Sequence, residues 1–465
     1  MRLTLVNADL PSFKPIPPLG LLCIAKTATC AGHKVKLIDY QLSPAIGSRD
    51  PNIFASFCRT QDDVIGVSTS CMALPLVIAA LKRLKEKRPK LVTVLGGIGA
   101  AGVGEQIIEQ FPWIDYVCRG EGEECFRELL ECIENESDTS LVGGFICRYN
   151  DKPKINPRPR RIKNLSQTEV NAWDYLDLTR YSVINIMTAR GCPYPCTFCD
   201  IAPYWQRCYR VRSIDAVVSE IRAIQKRFSA SSTFVFVDDT LTIDRHRVEM
   251  LCKQLGTLQY DIQWSCYARA DNLDDDILNL MAKSGCKKVY LGLESGSDSV
   301  LNEIQKGFTS EIGCRAAIMA RKHISIVQTS FVWGFPFETW KDFNETLLLM
   351  AYLVANDISV KANVLTPLPF STIYHKYSDS LCFMSDYSPQ LHLAGYESYK
   401  ELLNLIEMHP KTFPFFYLYY SDTLKQKYDL LRKMGLSPEH IWHIWELVKS
   451  PIPLRDTSSI LADFS

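Results

Sequence analysis

Short apolar runs alternate with longer segments of helical spacing along most of this chain, which limits it to an α/β fold. In residues 1–148, Leu3 to Asn7, Val35 to Asp39, Val64 to Ser68 and Leu91 to Leu95 read as buried strands. Leu21 to Cys30 and Leu76 to Lys87 carry apolar residues at helical spacing, with Pro75 suited to the first turn of the latter and Pro89 to its end. A shorter strand, Tyr116 to Arg119, precedes a helix beginning near Glu123. This pattern predicts a doubly wound, Rossmann-like parallel sheet that takes ligands at the carboxyl ends of its strands. A stretch rich in proline and basic residues, Asp151 to Arg161, predicts a linker over 149–182. Alternation then resumes over 183–378 with strands at Val183 to Met187, Thr233 to Val237, Ile262 to Tyr267, Lys288 to Leu293, Ile326 to Trp333 and Val360 to Leu365. Helices such as Ile214 to Phe228 and Phe343 to Asn356 separate them, so the expectation is a partial (β/α)6 barrel. A chain of 465 residues is long enough for two or three such cores.

The chemistry concentrates in the loop after the first barrel strand, Gly191-Cys192-Pro193-Tyr194-Pro195-Cys196-Thr197-Phe198-Cys199-Asp200. Cysteines four and then three residues apart, in a loop stiffened by two prolines, keep their sulfurs close enough to share one metal centre. Three ligands leave one iron of a cubane cluster open, whereas structural zinc sites close with four. A catalytic thiol or disulfide pair, or three unrelated core cysteines among the 17 in the chain, are the other readings of the same residues.

Cys-x3-Cys-x2-Cys with an aromatic residue, Phe198, before the last cysteine resembles the radical S-adenosylmethionine (SAM) enzymes. The resemblance implies that Cys192, Cys196 and Cys199 ligate a 4Fe-4S cluster and that its open iron binds SAM. Further segments follow at strand ends. Asp238-Asp239-Thr240 stands where the family places a motif holding the SAM amino group, although that motif is usually Gly-Gly-Glu; capping of the next helix is the alternative. Arg269 would neutralise a carboxylate of SAM or substrate, Glu294 and Ser295 would hold ribose hydroxyls, and the segment with Gly334 and Pro336 would back the adenine.

In the first domain, Pro17-Pro18-Leu19-Gly20, Ala31-Gly32-His33, Gly96-Gly97 and Arg119-Gly120-Glu121-Gly122-Glu123 together resemble the cobalamin-binding domain fused to many radical SAM enzymes. Pro18, Leu19, Ser68, Thr69, Ser70, Gly96, Gly97, Gly120, Glu121 and Glu123 are the residues this implies at the cofactor. Gly96-Gly97 taken alone suits packing or a turn equally well. No Asp-x-His-x-x-Gly is present, so the resemblance implies no histidine on cobalt. It implies a cobalamin-dependent methyltransferase that places a SAM-derived methyl group, by way of methylcobalamin, on an unactivated carbon of a peptide or small metabolite. A radical cyclase, rearranging or epimerising enzyme is the alternative, and a flavodoxin- or ferredoxin-type protein is the implied electron donor.

Composition narrows the remaining possibilities. Lys and Arg number 52 and Asp and Glu 52, so no broad surface for nucleic acid or anionic lipid is expected. Met1 to Val6 runs straight into a strand, and no apolar run approaches the ~18 residues of a membrane span, so no export or membrane insertion is expected. An odd number of irregularly spaced cysteines suits reduced thiols in the cytoplasm. Cys118, Cys125 and Cys132 stand too far apart for a second ligand loop. Residues 379–465 read as a helical segment, with helices at Leu402 to Met408 and Pro438 to Lys449. The aromatic run Phe413 to Tyr420 suits core packing or a substrate pocket, and His409 beside it is a candidate substrate contact.

Overall fold

The structure is a computed structural model that describes residues 1–10, 15–45, 47–167, 172–228, 233–258 and 262–433. The first sheet has seven strands: β1 (Arg2–Asn7), β2 (Lys34–Asp39), β3 (Val64–Ser68), β4 (Val92–Gly96), β5 (Tyr116–Cys118), β6 (Phe145–Tyr149) and β7 (Lys152–Ile155). Their order is β2-β1-β3-β4-β5-β6-β7, and the first five run parallel. Strand order reverses between β1 and β3, which opens a ligand crevice at their carboxyl ends. Both faces are covered. Leu3 and Leu5 pack with Leu21, Ala25, Phe126 and Leu129. Val67 and Leu95 pack on the other side with Leu76, Val77, Ala80 and Leu81 of the helix Leu74–Lys87.

The segment expected to begin the linker at 149 instead completes this sheet. β6 and β7 form an antiparallel hairpin through Tyr149↔Lys152, and Pro153 is tolerated because β7 is the sheet edge.

The second sheet is the barrel. β8 (Ile184–Ile186) is followed by a small antiparallel pair, β9 (Ala189–Arg190) with β10 (Arg210–Val211). β11 (Thr233–Phe236), β12 (Gln263–Ala268), β13 (Cys286–Glu294), β14 (Ile326–Trp333) and β15 (Ser359–Val364) then continue from β8 as six parallel neighbours. Among the described residues β8 and β15 are the two edges of this sheet, so the barrel is partial. Asn185 of β8 donates to the carbonyl of Pro17 at 2.8 Å, tying that edge to the first domain.

The C-terminal segment spans both cores rather than capping the barrel alone. Leu402, Ile406, Phe413, Phe416 and Tyr417 bury themselves in the first domain, so the aromatic run serves packing. His409 lies edge-on to Phe111, 5.0 Å between ring centres, and borders neither of the two cavities described below. A short antiparallel pair, β16 (Leu381–Cys382) with β17 (Leu418–Tyr419), precedes a helix, Leu424–Lys433, whose Leu424, Tyr428 and Leu431 join the barrel core. The helix expected at Pro438 to Lys449 lies outside the described residues.

One ion pair locks that last helix down. Lys427 Nζ lies 2.7 Å from Glu338 Oε2, and both side chains are fully buried. Removing one partner strands the other charge, so Lys427→Met should cost about 3–5 kcal/mol. The double variant Lys427→Met/Glu338→Gln should recover most of that loss. Denaturant unfolding of the two variants checks both expectations.

Candidate functional site

The cysteine loop begins at a backbone position that only glycine fills. Gly191 has φ +90°, and a Cβ there would lie 1.9 Å from the Cys208 carbonyl oxygen. Downstream, Thr197 N donates to Ile304 O and Ile373 N donates to Thr197 O, so main chain from two other elements grips the loop. Phe198 meets Phe335 edge-on with ring centres 6.3 Å apart, which links the loop to the exit of β14. Cys192, Cys196 and Cys199 all border one cavity of about 480 Å³ at the carboxyl ends of the barrel strands. Burial raises the Cys192 thiol above its ordinary range and pushes Cys199 up to about 12. Among the described residues no set of three or more Cys, His, Asp or Glu side chains gathers as a single-ion site would. Three thiols lining one cavity can serve as ligands to a multi-iron cluster.

The strand-end residues divide into those that face this cavity and those that hold it together. Asp238 is buried, and its carboxylate accepts from Thr188 N at 2.6 Å, from Ala189 N at 3.0 Å and from the Thr188 hydroxyl. It borders the cavity together with Asp239 but clamps the chain just before the cysteine loop, so Asp239 is the less committed of the acidic pair. Burial and then the Asp238 charge push Asp239 up to about 7. Thr240 borders the cavity beside it.

Arg269 borders the cavity, but its fork is committed. It donates to both Asp271 oxygens at 2.9 Å and to Lys306 O at 2.6 Å, and its guanidinium carbon lies 3.7 Å from the Tyr194 ring centre. Its remaining Nη1 faces Cys196 Sγ at 3.9 Å, which places its charge beside the thiols rather than on an incoming carboxylate.

Glu294 reaches the cavity through a strained residue. Its φ is +67°, and it sits where the β13–β14 register shifts. Its side chain folds over Gly292, where a Cβ would lie 2.2 Å from Glu294 Oε1, and pairs with Lys306 Nζ at 2.9 Å. Ser295 faces the other way: it is fully buried and shares a hydrogen bond with Thr346 at 3.0 Å. Gly334 and Pro336 do not border the cavity either. Gly334 N donates to Glu338, and Phe335 between them supplies the contact to Phe198.

A second cavity, about 310 Å³, lies between the two domains. Its floor is the carboxyl edge of the first sheet, including Leu19, Gly20, Ser68, Gly96, Gly97 and Gly120, and its roof is Met187, Tyr204, Trp205, Val237 and Asp239 of the barrel domain. At Gly20 and Gly96 an added Cβ meets no protein atom within 4 Å, so the backbone there faces open space that a flat apolar-walled ligand can fill. Pro18, Thr69 and Ser70 do not border it. Pro18 precedes the helix Leu19–Cys30. Thr69 and Ser70 form the bed under Gly97 and Gly99, where a Cβ would meet Thr69 O at 2.6 Å and the Ser70 carbonyl carbon at 2.2 Å.

Glu121 and Glu123 border this cavity as half of an ion cluster. Arg190, the residue before Gly191, binds Glu121 and Glu123 at 2.6 Å each, and Arg210 binds Glu121 at 2.9 Å. All four side chains are buried or nearly so. Burial opposes ionisation of Glu121, but the two guanidinium groups outweigh it and hold its carboxyl below the usual range. Buried charges persist only when paired in this way. Sequence reasoning missed Arg190, and also Lys306, Tyr194 and Trp205. The available signal was an arginine directly preceding the glycine of the cysteine loop.

Residues 186–350 match the Radical SAM superfamily model, and residues 12–130 match the B12 binding domain model. The chain is therefore a radical SAM enzyme carrying an N-terminal B12-binding domain. Its cofactors are a 4Fe-4S cluster, SAM and cobalamin. An uncharacterised methyltransferase of Pyrococcus horikoshii is 27% identical over 77% of this chain and 78% of its own. The anaerobic magnesium-protoporphyrin IX monomethyl ester cyclase of Synechocystis sp. is 28% identical over 76% of this chain and 72% of its own. Among solved structures, the radical SAM methyltransferase TsrM from Kitasatospora setae, with cobalamin and a 4Fe-4S cluster bound, superposes with a TM-score of 0.66 at 17% identity, covering 81% of this chain and 74% of that one. That likeness shows the shared fold.

Cys118 and Cys125, too far apart in sequence for a ligand loop, bring their thiols within 3.8 Å of each other in a buried cluster against which Cys132 also packs. Cys208 lies outside the triplet with its carbonyl against Gly191, and Arg161 Nη1 donates to its thiol at 2.9 Å. Anaerobically reconstituted Cys192→Ala, Cys196→Ala and Cys199→Ala should each hold only background iron and sulfide. Cys208→Ala should bind both as the parent chain does. Iron and sulfide analysis of the four variants decides the ligand set.

Proposed function

We propose that this enzyme transfers a SAM-derived methyl group to an unactivated carbon of a small metabolite or peptide, with cobalamin seated between the two domains. One observation carries the reading: the barrel cavity and the interdomain cavity share a wall, because Val237 and Asp239 border both. A ligand in either space is therefore one residue away from a ligand in the other.

When bound, the cluster with SAM supplies hydrogen abstraction and cobalamin supplies methyl transfer. The residues of the chain bind, orient and exclude water. Cys192, Cys196 and Cys199 hold the cluster, and Arg269 beside Cys196 offsets thiolate charge. Asp239 accepts from the SAM ammonium, whose positive charge holds that carboxyl ionised. Glu294, aimed by Lys306, accepts from ribose hydroxyls. Leu19, Gly20, Gly96, Gly97 and Gly120 let the first domain approach a corrin ring closely, and Trp205 and Met187 cover its barrel side. Arg190 fixes Glu121 and Glu123 at the edge of that cavity, and Arg210 adds a second hold on Glu121.

The related magnesium-protoporphyrin IX monomethyl ester cyclases favour a second reading, in which the same site closes a ring instead of transferring a methyl group. A flavodoxin- or ferredoxin-type carrier supplies the electron under either reading, and the odd, irregularly spaced cysteines suit an enzyme of the cytoplasm. Among the described residues no helix is long and apolar enough to cross a membrane.

Protein produced anaerobically with cobalamin should retain cobalt and one four-iron cluster per chain after desalting. Turnover should then form S-adenosylhomocysteine and 5′-deoxyadenosine in equal amounts. Cluster without cobalt, or 5′-deoxyadenosine without S-adenosylhomocysteine, would refute methyl transfer and leave ring closure.

A further inference from the structure

The cysteine loop has an inner and an outer side. Cys192, Tyr194 and Cys196 border the barrel cavity, whereas Pro193 and Pro195 between them are exposed and border neither cavity. The outer side meets a second piece of chain. Arg207, itself exposed, donates to the Tyr194 carbonyl at 3.3 Å, and Cys208 rests its carbonyl against Gly191. A third piece lies on the second. Arg158 donates to the Tyr204 carbonyl at 3.3 Å, and Arg161 donates to the Cys208 thiol at 2.9 Å and to the Gln206 side chain. Where these two segments meet, a groove of about 820 Å³ opens, lined by Arg160, Arg161, Ile162, Lys163, Cys208 and Arg210.

This face is positive in a chain that is neutral as a whole. Pro157 to Lys163 holds four basic residues and no acidic one, against 52 of each sign in the full sequence. Arg158, Arg160, Arg161, Lys163 and Arg207 are all exposed, and among the described residues none of them pairs with a carboxylate. Glu121, which does approach the groove, is already held by Arg190 and Arg210. The other basic groove, which includes Arg59 and Lys87, also contains Glu86 and Glu401 and touches no residue of the cysteine loop. Crowded like charges that the fold leaves unpaired raise the local concentration of anionic partners and orient their approach. Exposed arginine and lysine side chains do this for a protein surface, since water screens them too well to trap a small ion.

We propose that Arg158, Arg160, Arg161, Lys163 and Arg207 form the docking face for an acidic one-electron carrier protein, and that the electron enters across the outer side of the cysteine loop. The carrier gives up one electron and the cluster takes it up, with no bond or proton exchanged. This rests on the reading of Cys192, Cys196 and Cys199 as cluster ligands and of a protein carrier as the reductant. Entry from this side passes through neither cavity.

Reduced flavodoxin is the probe, with reduced ferredoxin as a second carrier and photoreduced 5-deazariboflavin as a small uncharged comparison. The full chain is reconstituted anaerobically with its cluster and kept free of SAM, and the reduced cluster is counted by freeze-quench electron paramagnetic resonance. At low ionic strength, Arg160→Glu/Lys163→Glu should lower the second-order rate constant with flavodoxin at least about tenfold and flatten its dependence on salt. Arg160→Gln/Lys163→Gln should fall between this variant and the parent, and it suffices if the glutamate pair fails to fold. Arg59→Glu/Lys87→Glu, which reverses two charges at the other basic groove, should stay within about twofold of the parent. With 5-deazariboflavin all four proteins should reduce at one rate, and iron content and melting temperature show that each is loaded and folded. Equal rates and salt dependence in the parent and both groove variants overturn the proposal. An equal loss in the Arg59→Glu/Lys87→Glu variant also overturns it, because net charge alone would then explain the effect. If neither carrier reduces a parent cluster that 5-deazariboflavin does reduce, the protein-carrier reading fails and the docking face with it. A chain that 5-deazariboflavin leaves unreduced refutes the cluster assignment instead, and iron analysis of the cysteine variants tells that failure apart.

Discussion

Arg190 decides how the two halves of this enzyme meet. It stands immediately before the cysteine loop, yet its guanidinium is shared between Glu121 and Glu123 of the first domain. Arg210 completes the cluster from the strand paired with β9, and Trp205 lies under both guanidinium groups at 5.9 and 5.7 Å. A hydrophobic seam of the same area tolerates sliding, because apolar burial has no direction. Paired buried charges do not, since displacement by a bond length leaves a carboxylate without its partner at a cost of several kcal/mol, roughly 3–5 by analogy with other buried pairs. The loop that gathers the thiols is thereby held in register with the carboxyl edge of the Rossmann-like sheet.

Around that anchor, several residues that look like ligands act as supports. Asp238 spends its carboxylate on the chain entering the cysteine loop, and Arg269 spends its fork on Asp271 and the Lys306 carbonyl. Ser295 binds Thr346, and Gly334 binds Glu338. Asp238 and Arg269 border the cavity with their polar groups already committed, whereas Ser295 and Gly334 lie behind Glu294 and Phe335. A site that must hold several groups within fractions of an ångström needs such a supporting layer. Adjacent positions along a strand end point in opposite directions, so one neighbour of each pair is available for support.

Much of the architecture was legible in the chain because it follows from local periodicity. Apolar runs bounded by helical segments set the order of strands in both sheets, and β13 to β15 fall where Lys288, Ile326 and Val360 mark them. The cysteine triplet was legible because its spacing and prolines are contiguous. Less legible was the hairpin of β6 and β7, since a proline-rich basic stretch reads as linker until a sheet edge is there to receive it. The polar stripe inside the barrel went unread for a related reason. Tyr290, Gln328, Ser330 and Lys361 interrupt apolar runs at alternate positions, and only the curvature of the sheet turns those interruptions towards one cavity.

By itself the sequence determined the fold class, the location of the cysteine loop after the first barrel strand, and the three thiols that stand together, because these depend on neighbours within a few residues. Tertiary structure alone decided which of two adjacent acids clamps the chain before the cysteine loop, that Arg190 reaches across to Glu121 and Glu123, and that the C-terminal segment up to residue 433 packs on two cores. It also decided that two cavities share the wall of Val237 and Asp239. The physical reason is separation along the chain. Hydrogen bonds and ion pairs between residues about 70 positions apart, such as Arg190 with Glu121, leave no periodic trace in sequence. They form only after hydrophobic burial has brought the strands together and made an unpaired charge costly.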